Sequence, residues 1–255
     1  MKLFLIRHAE CEHNVGKAFG NSNDLTSVGK EQALCLARYF RDRPVRFTRV
    51  LSSDLDRATD TARAICQYQL GSGPALEPFQ TAKLREQCFG CGSLSREVTG
   101  IESMASMRAR VNGFLRDHIW PEMANHATSG DSVIAIVGHG MILQVVWACL
   151  ADLFGPQSFH LARDAEWTGS GYIHPLWSNT GIMELDIRPG GPPEEMLAEN
   201  TVHPSVKPPW LMRAKPPWPE GNAPLVAWSV TILMVDSTPH LNGDTLAPTI
   251  PVVVS

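Results

Sequence analysis

Met1-Lys2-Leu3-Phe4-Leu5-Ile6-Arg7-His8-Ala9-Glu10 is an apolar run that stops abruptly at a cation and an imidazole. Residues 2–6 carry almost no polar alternation, which is the pattern of a strand covered on both faces in a parallel sheet. Residues 49–52 and 132–137 repeat that character, so three central strands are expected. Between them Ala33, Leu36, Ala37 and Phe40, then Leu55, Ala58, Ala62 and Ile65, fall on single helical faces. Met104, Met107, Val111, Phe114 and His118 within residues 102–127 do the same, as do Ile142, Val145, Val146, Cys149 and Leu153. This βαβ alternation predicts an α/β fold, a three-layer α/β/α sandwich around a mostly parallel sheet. Right-handed crossovers then gather the C-terminal ends of the strands along one edge, where ligands bind in such sheets.

A chain of 255 residues fits one large α/β domain, and 44% hydrophobic against 19% charged residues excludes disorder throughout. A single domain over 1–255 is therefore expected. It is interrupted by an excursion at about 189–224 that holds ten prolines, which resist both helix and central strand. Residues 172–177, 182–187 and 225–235 read as added strands, the last returning to the same domain. The net charge of −4 and the lack of a long Lys/Arg run exclude a nucleic-acid or anionic-membrane footprint. The apolar run at 225–235 is too short to span a bilayer. Arg7 and His8 end the first run too early for a signal-peptide core, and the six cysteines are scattered instead of forming a framework. A cytoplasmic address without disulfides is the expectation.

The chemistry lies at the strand ends. The first strand ends at Arg7-His8 with Asn14 close behind, the third ends at Gly138-His139-Gly140, and the second leads into a helix whose first turn holds Arg57. Two imidazoles and two guanidiniums without many carboxylates would attract a phosphoryl dianion, since arginine forks match phosphate oxygens. A neutral imidazole nitrogen can attack phosphorus while fixed donors offset the charge on the equatorial oxygens. Arg57 has Asp54 and Asp60 within reach on its own helix, but its place at a strand end favours the pocket.

Arg-His-x-Glu with the following Asn14, Leu51-Ser52-Ser53-Asp54-Leu55-x-Arg57-Ala58-x-x-Thr61-Ala62, and Gly138-His139-Gly140 resemble the motifs of the histidine phosphatase superfamily, over roughly residues 1–150. The resemblance implies a phosphoglycerate mutase-like fold and a metal-independent, cofactor-free phosphatase acting on a small phosphorylated metabolite. It makes His8 the nucleophile that becomes phosphohistidine, with Arg7, Arg57 and His139 around the phosphate and Asn14 and Gly140 as further substrate contacts. Leu84-Arg85-Glu86-Gln87-Cys88-Phe89-Gly90 is similar to the segment that carries the family's proton donor, which assigns that role to Glu86. Ala9 and His13 stand where many relatives have Gly and Trp, and Cys91 where a second acid is frequent; these departures bear on substrate contacts.

A phosphoglycerate-type mutase is disfavoured, because Asn14 is followed quickly by Leu25-Thr26-x-x-Gly29 and no basic, proline-rich insertion separates Glu86 from Asp131. Gly100-Ile101-Glu102-Ser103, leading into a helix with Arg108 and Arg110, resembles the phosphatase branch, and the stretch from Trp228 to His240 is similar to fungal-type members. A repurposed or non-hydrolytic member is the third reading, and a phosphoprotein substrate and a homodimer are both compatible with the sequence. Cys88-Phe89-Gly90-Cys91 has redox or zinc spacing but no second pair. His174, Trp167 and Trp177 are candidates to line the cavity or to pack beneath the long loops.

Overall fold

The computed structural model describes residues 1–16, 24–69, 75–87, 101–129, 132–165, 173–191 and 228–242. Its central strand is β1 (Lys2–Arg7). Leu3 and Leu5 point into one apolar cluster and Phe4 and Ile6 into another, and all four are fully buried. This two-sided burial is why the run does not alternate.

The first layer is α1 (Ser27–Asp42) and α2 (Asp56–Gln67), which supply Leu36, Phe40, Ala58, Ala62 and Ile65 to the cluster around Phe4. Phe4, Phe40 and Phe47 meet edge to face with ring centroids 4.9–5.4 Å apart, a geometry worth about 0.5–1.5 kcal/mol per pair beyond area burial. The opposite layer begins with α3 (Met104–Phe114), which winds through five π-helical residues (Leu115–Ile119) into α4 (Trp120–Ser129). It is completed by α5 (Gly140–Phe154), buried over most of its length. Met107, Val111, Phe114, Val146 and Leu150 pack there against Leu3 and Leu5.

Among the described residues seven strands form one sheet, in the order β3-β2-β4-β1-β6-β7-β5. Here β2 is Arg49–Ser53, β3 Phe79–Thr81, β4 Val133–Gly138, β5 Phe159–Leu161, β6 Ile182–Pro189 and β7 Trp228–Ser237. The pairs β1–β4, β2–β4, β2–β3 and β5–β7 are parallel, whereas β6 runs antiparallel to both β1 and β7. Only β6 is reversed, so the sheet is mostly parallel.

The chain leaves β1 toward α1 on one face and leaves the adjacent β4 toward α5 on the other. The crevice this opens between their C-terminal ends is a topological switch point. Residues 173–178 are not the strand expected at 172–177. Pro175 has no N–H to give a ladder, and the carbonyls of Ile173 and Trp177 accept side-chain donors from Trp147 and Arg7. Tyr172, the start of the 225–235 run, the C-x-x-C at 88–91, Gly100, Trp167, Asp131 and the proline-rich residues 192–224 lie outside the described residues. No described helix is long and apolar enough to cross a membrane.

Candidate active site

Residues 8–14 leave β1 as a tight loop seated on the first turn of α1. Thr26 caps that helix, its Oγ1 accepting from the Gly29 N–H (2.9 Å) and donating to Glu10 Oε1 (2.7 Å). The backbone N–H of Glu10 donates to Gln32 Oε1 and that of Thr26 to the Glu10 carbonyl. A Cβ on Gly29 would lie 1.9 Å from that carbonyl oxygen, so only glycine permits the approach. Glu10 of the Arg-His-x-Glu motif is therefore an anchor of the loop, and Leu25-Thr26-x-x-Gly29 is the surface it sits on. Asn14 turns its Oδ1 back onto the Cys11 N–H (3.1 Å) and accepts from Asn179 Nδ2 (3.2 Å). These contacts engage the amide oxygen of Asn14 in closing the loop.

His8 and His139 are buried at the crevice with ring centroids 5.0 Å apart. His8 Nδ1 lies 2.7 Å from the Ala9 carbonyl. A carbonyl can only accept, so the network assigns the proton to Nδ1 and leaves a lone pair on Nε2. Arg57 Nε donates between the two rings, at 3.1 Å to His139 Nδ1 and 3.3 Å to His8 Nε2. With its Nδ1 accepting, His139 carries its proton on Nε2, a buried donor with no acceptor among the described residues; Arg7 Nε is another. Unpaired buried donors cost about 1–3 kcal/mol each, and two of them beside two guanidiniums suit an anion.

Burial holds both imidazoles well below the ordinary histidine range, reinforced by the positive charges of Arg7 and Arg57. Both are neutral at physiological pH. The same burial lowers Arg7 and Arg57, opposed by the charges of Glu86 and Cys11. Asp54 and Asp60 do not hold Arg57: they pair with Arg85 and Arg63. Glu86 reaches the same edge from the segment after β3. Its Oε1 accepts from the Ile142 N–H and its Oε2 from the Met141 N–H, both 3.2 Å, on the first turn of α5. Gly140 starts that helix, and a Cβ there would rest 3.9 Å from the Trp177 Cβ in ordinary contact.

Residues 3–95 match the sequence profile of the histidine phosphatase superfamily (branch 1). A broad-specificity phosphatase of Saccharomyces cerevisiae is 27% identical over 164 residues, covering 57% of this chain and 68% of that protein. A 2,3-bisphosphoglycerate-dependent phosphoglycerate mutase of Bartonella tribocorum is 30% identical over 174 residues, 61% of this chain and 84% of that protein. The chain belongs to the histidine phosphatase superfamily. It is a phosphatase-family enzyme with the phosphoglycerate mutase-like fold. A solved structure described as a mycobacterial hydrolase superimposes with a TM-score of 0.55 over 92% of this chain and 98% of that one, at 18% identity, a likeness of fold.

This histidine phosphatase chain builds the floor of its site from residues that carry no motif. Trp177 offers its carbonyl to Arg7 Nη1 (2.7 Å), and its indole N–H donates to Gln144. Asn179 Nδ2 donates to the His8 carbonyl (3.0 Å), and the Thr180 N–H to the Arg7 carbonyl (3.1 Å). Asp236, near the end of β7, accepts from the backbone N–H and the hydroxyl of Ser178. Burial pushes its carboxyl up, against those hydrogen bonds. Trp177, Thr180 and Asp236 all adopt left-handed backbone, with φ of 56°, 56° and 47°, each costing on the order of 1–3 kcal/mol. The one sequence signal is Gly181, where a Cβ would lie 2.1 Å from Asp236 Oδ1. Trp177 is buried in this floor and His174 is exposed.

Proposed function

We propose that the chain is a metal-independent phosphomonoester hydrolase that acts on a small phosphorylated metabolite in the cytoplasm through phospho-His8. The observation that carries this reading is the His8 tautomer. Its Nδ1–H is committed to the Ala9 carbonyl, so Nε2 offers a lone pair at the point where Arg57 and His139 converge.

In the first step the Nε2–P bond forms as the ester P–O bond breaks. Arg7, Arg57 and His139 Nε2–H donate to the three equatorial oxygens, and the protonated Glu86 carboxyl gives its proton to the leaving alkoxide. In the second step water attacks phosphorus and its proton passes to Glu86. The P–N bond breaks with the electron pair returning to Nε2, which restores the free enzyme and releases inorganic phosphate. No step requires a cofactor.

The relationship to a mutase supplies a second reading. Transfer within a sugar acid needs cations for a further anionic group, yet among the described residues near this edge Lys83, Arg85 and Arg110 are matched by Asp117, Asp54 and Glu102. Arg7 and Arg57 make one phosphate-sized cradle.

Phosphate release from an aryl phosphate in EDTA tests the reading, alongside acid-labile, base-stable label on the protein after a quench with 32P-substrate. Turnover and label should both vanish in His8→Ala. Turnover that depends on a bisphosphate primer would establish the mutase instead, and a well-folded enzyme inert toward aryl and sugar phosphates would overturn the hydrolase reading.

A further inference from the structure

Glu86 follows a short helical turn at Ala82–Leu84 and lies outside any helix or strand. A catalytic carboxyl on such a segment needs an outside support to hold an angstrom-scale position. The side chains of Lys83 and Arg85 are tied away from the crevice, to Asp117 at 2.7 Å and to Asp54 at 2.7 Å. They anchor the flanks and leave the backbone beside Glu86 to other groups.

The carboxyl rests on the Met141 and Ile142 N–H groups, and the backbone that carries it is held by a guanidinium. Arg110, on α3, donates from Nη1 to the Lys83 carbonyl at 2.8 Å and from Nη2 to the Glu86 carbonyl at 3.4 Å, bracketing the segment. Its other edge is fixed by a two-pronged pair with Glu102, Nε to Oε1 at 2.8 Å and Nη2 to Oε2 at 2.9 Å. Glu102 is itself held: its Oε1 accepts from the Ser106 hydroxyl at 3.1 Å, and its carbonyl accepts from Gln87 Nε2 at 2.8 Å. The chain of contacts runs from the N-terminal end of α3 through one planar fork to the backbone on both sides of residue 85. Lysine, a single-point cation, cannot reproduce that fork.

We propose that Arg110, oriented by Glu102, is a positioning residue that sets where the Glu86 carboxyl meets the leaving oxygen. It touches no reacting atom. The inference rests on Glu86 being the proton donor, and a misplacement of about 1 Å in such a group can cost on the order of 10²-fold in rate.

The test exploits the chemistry of the leaving group. An alkoxide leaving from benzyl phosphate needs a proton far more than a nitrophenolate does, so loss of a well-placed acid shows in kcat/KM for the first substrate and little for the second. Arg110→Lys and Glu102→Gln should each lose about 10- to 100-fold with benzyl phosphate and only a few-fold with 4-nitrophenyl phosphate. Inhibition by inorganic phosphate should be unchanged, because Arg7, Arg57 and His139 are untouched. Glu86→Gln is the reference and should show the same selectivity more strongly.

An equal loss on both substrates in the Arg110 and Glu102 variants would make the pair merely structural and overturn the proposal. So would unchanged kinetics beside a selective Glu86→Gln. If Glu86→Gln itself shows no leaving-group selectivity, the assignment of Glu86 as acid has failed, a result separable from failure of the clamp. Glu102→Gln keeps the residue's size and one acceptor oxygen while it replaces the other by an N–H donor and so breaks the two-pronged pair, so the outcome can be read even where Arg110→Lys does not fold.

Discussion

Lowering the pH from 7 to 5 should cost the fold about 2 kcal/mol through His240 alone. His240 lies in the short turn after β7, where its Nε2 donates to Thr180 Oγ1 at 2.8 Å, the Thr180 hydroxyl donating in turn to the Asn179 carbonyl. Its Nδ1 is buried without a hydrogen-bond partner among the described residues, and the ring lies 5.8 Å from that of Tyr39 between centroids. Burial pushes the imidazole down to about 4 from an ordinary 6.5. Because the folded value is the lower one, the unfolded chain takes up a proton first as pH falls. The stabilisation is therefore fully present above 6.5 and is lost between 6.5 and about 4. Linkage over the pH 7 to 5 interval gives about 2 kcal/mol of the roughly 3 kcal/mol available in total. His8 and His139 act in the same direction, so the term is isolated by comparison with His240→Gln, whose amide keeps a donor for Thr180. Urea unfolding of both proteins at the two pH values measures it. The stability gap should move in favour of the variant by about 2 kcal/mol at pH 5. A gap that is the same at both pH values refutes the argument.

Gly29→Ala forces a Cβ into the Glu10 carbonyl and, through backbone that cannot yield like a flexible side chain, should destabilise by about 1–3 kcal/mol or more with loss of turnover; a thermal melt and an aryl phosphate assay read both. Thr26→Ala removes a helix cap and the tie to Glu10 together and should cost about 1 kcal/mol, seen as a lower urea midpoint. Arg57→Lys keeps the charge but not the Nε donor shared by the two imidazoles, so kcat should fall on the order of 10²-fold in a steady-state assay. NMR titration of the ring protons should find His8 and His139 neutral at pH 6.5 and losing that state only well below it, since burial and two guanidiniums both lower them.

The central strands and four helical stretches were legible, with α3 and α4 reading as one, because burial on two faces writes a continuous apolar run, and burial on one face writes a 3.6-residue period. The strand ends carried the site for the same reason, since Arg7, His8, Arg57 and His139 sit where the topology gathers them. Three-residue strands such as β3 and β5 are too short to leave a pattern. Residues 173–181 misled in the opposite sense. Ile173 and Trp177 look like strand material, but their neighbourhood is set by Pro175, by left-handed backbone at Trp177 and Thr180, and by an aspartate from β7. Non-glycine residues give no local sign of positive φ, so only the folded chain shows that floor. Asn14 and Glu10 were visible as motif residues, but what they hold depends on Asn179 and Thr26, contacts that sequence spacing does not encode.

The pairing of β1 also has a consequence in time. Lys2 lies opposite Val133 on one side and Asp186 on the other. On a ribosome adding roughly 5–20 residues per second, the Leu3–Ile6 segment waits on the order of ten seconds for its first neighbour, with both edges open. All three signature motifs have been synthesised by Gly140, yet the carbonyl and amide grips on Arg7 and His8 come from residues 177–181, which are braced by Asp236 and His240. The nascent chain thus holds every side chain proposed for catalysis long before it holds the floor beneath them, and on this reading turnover reports that translation has passed β7.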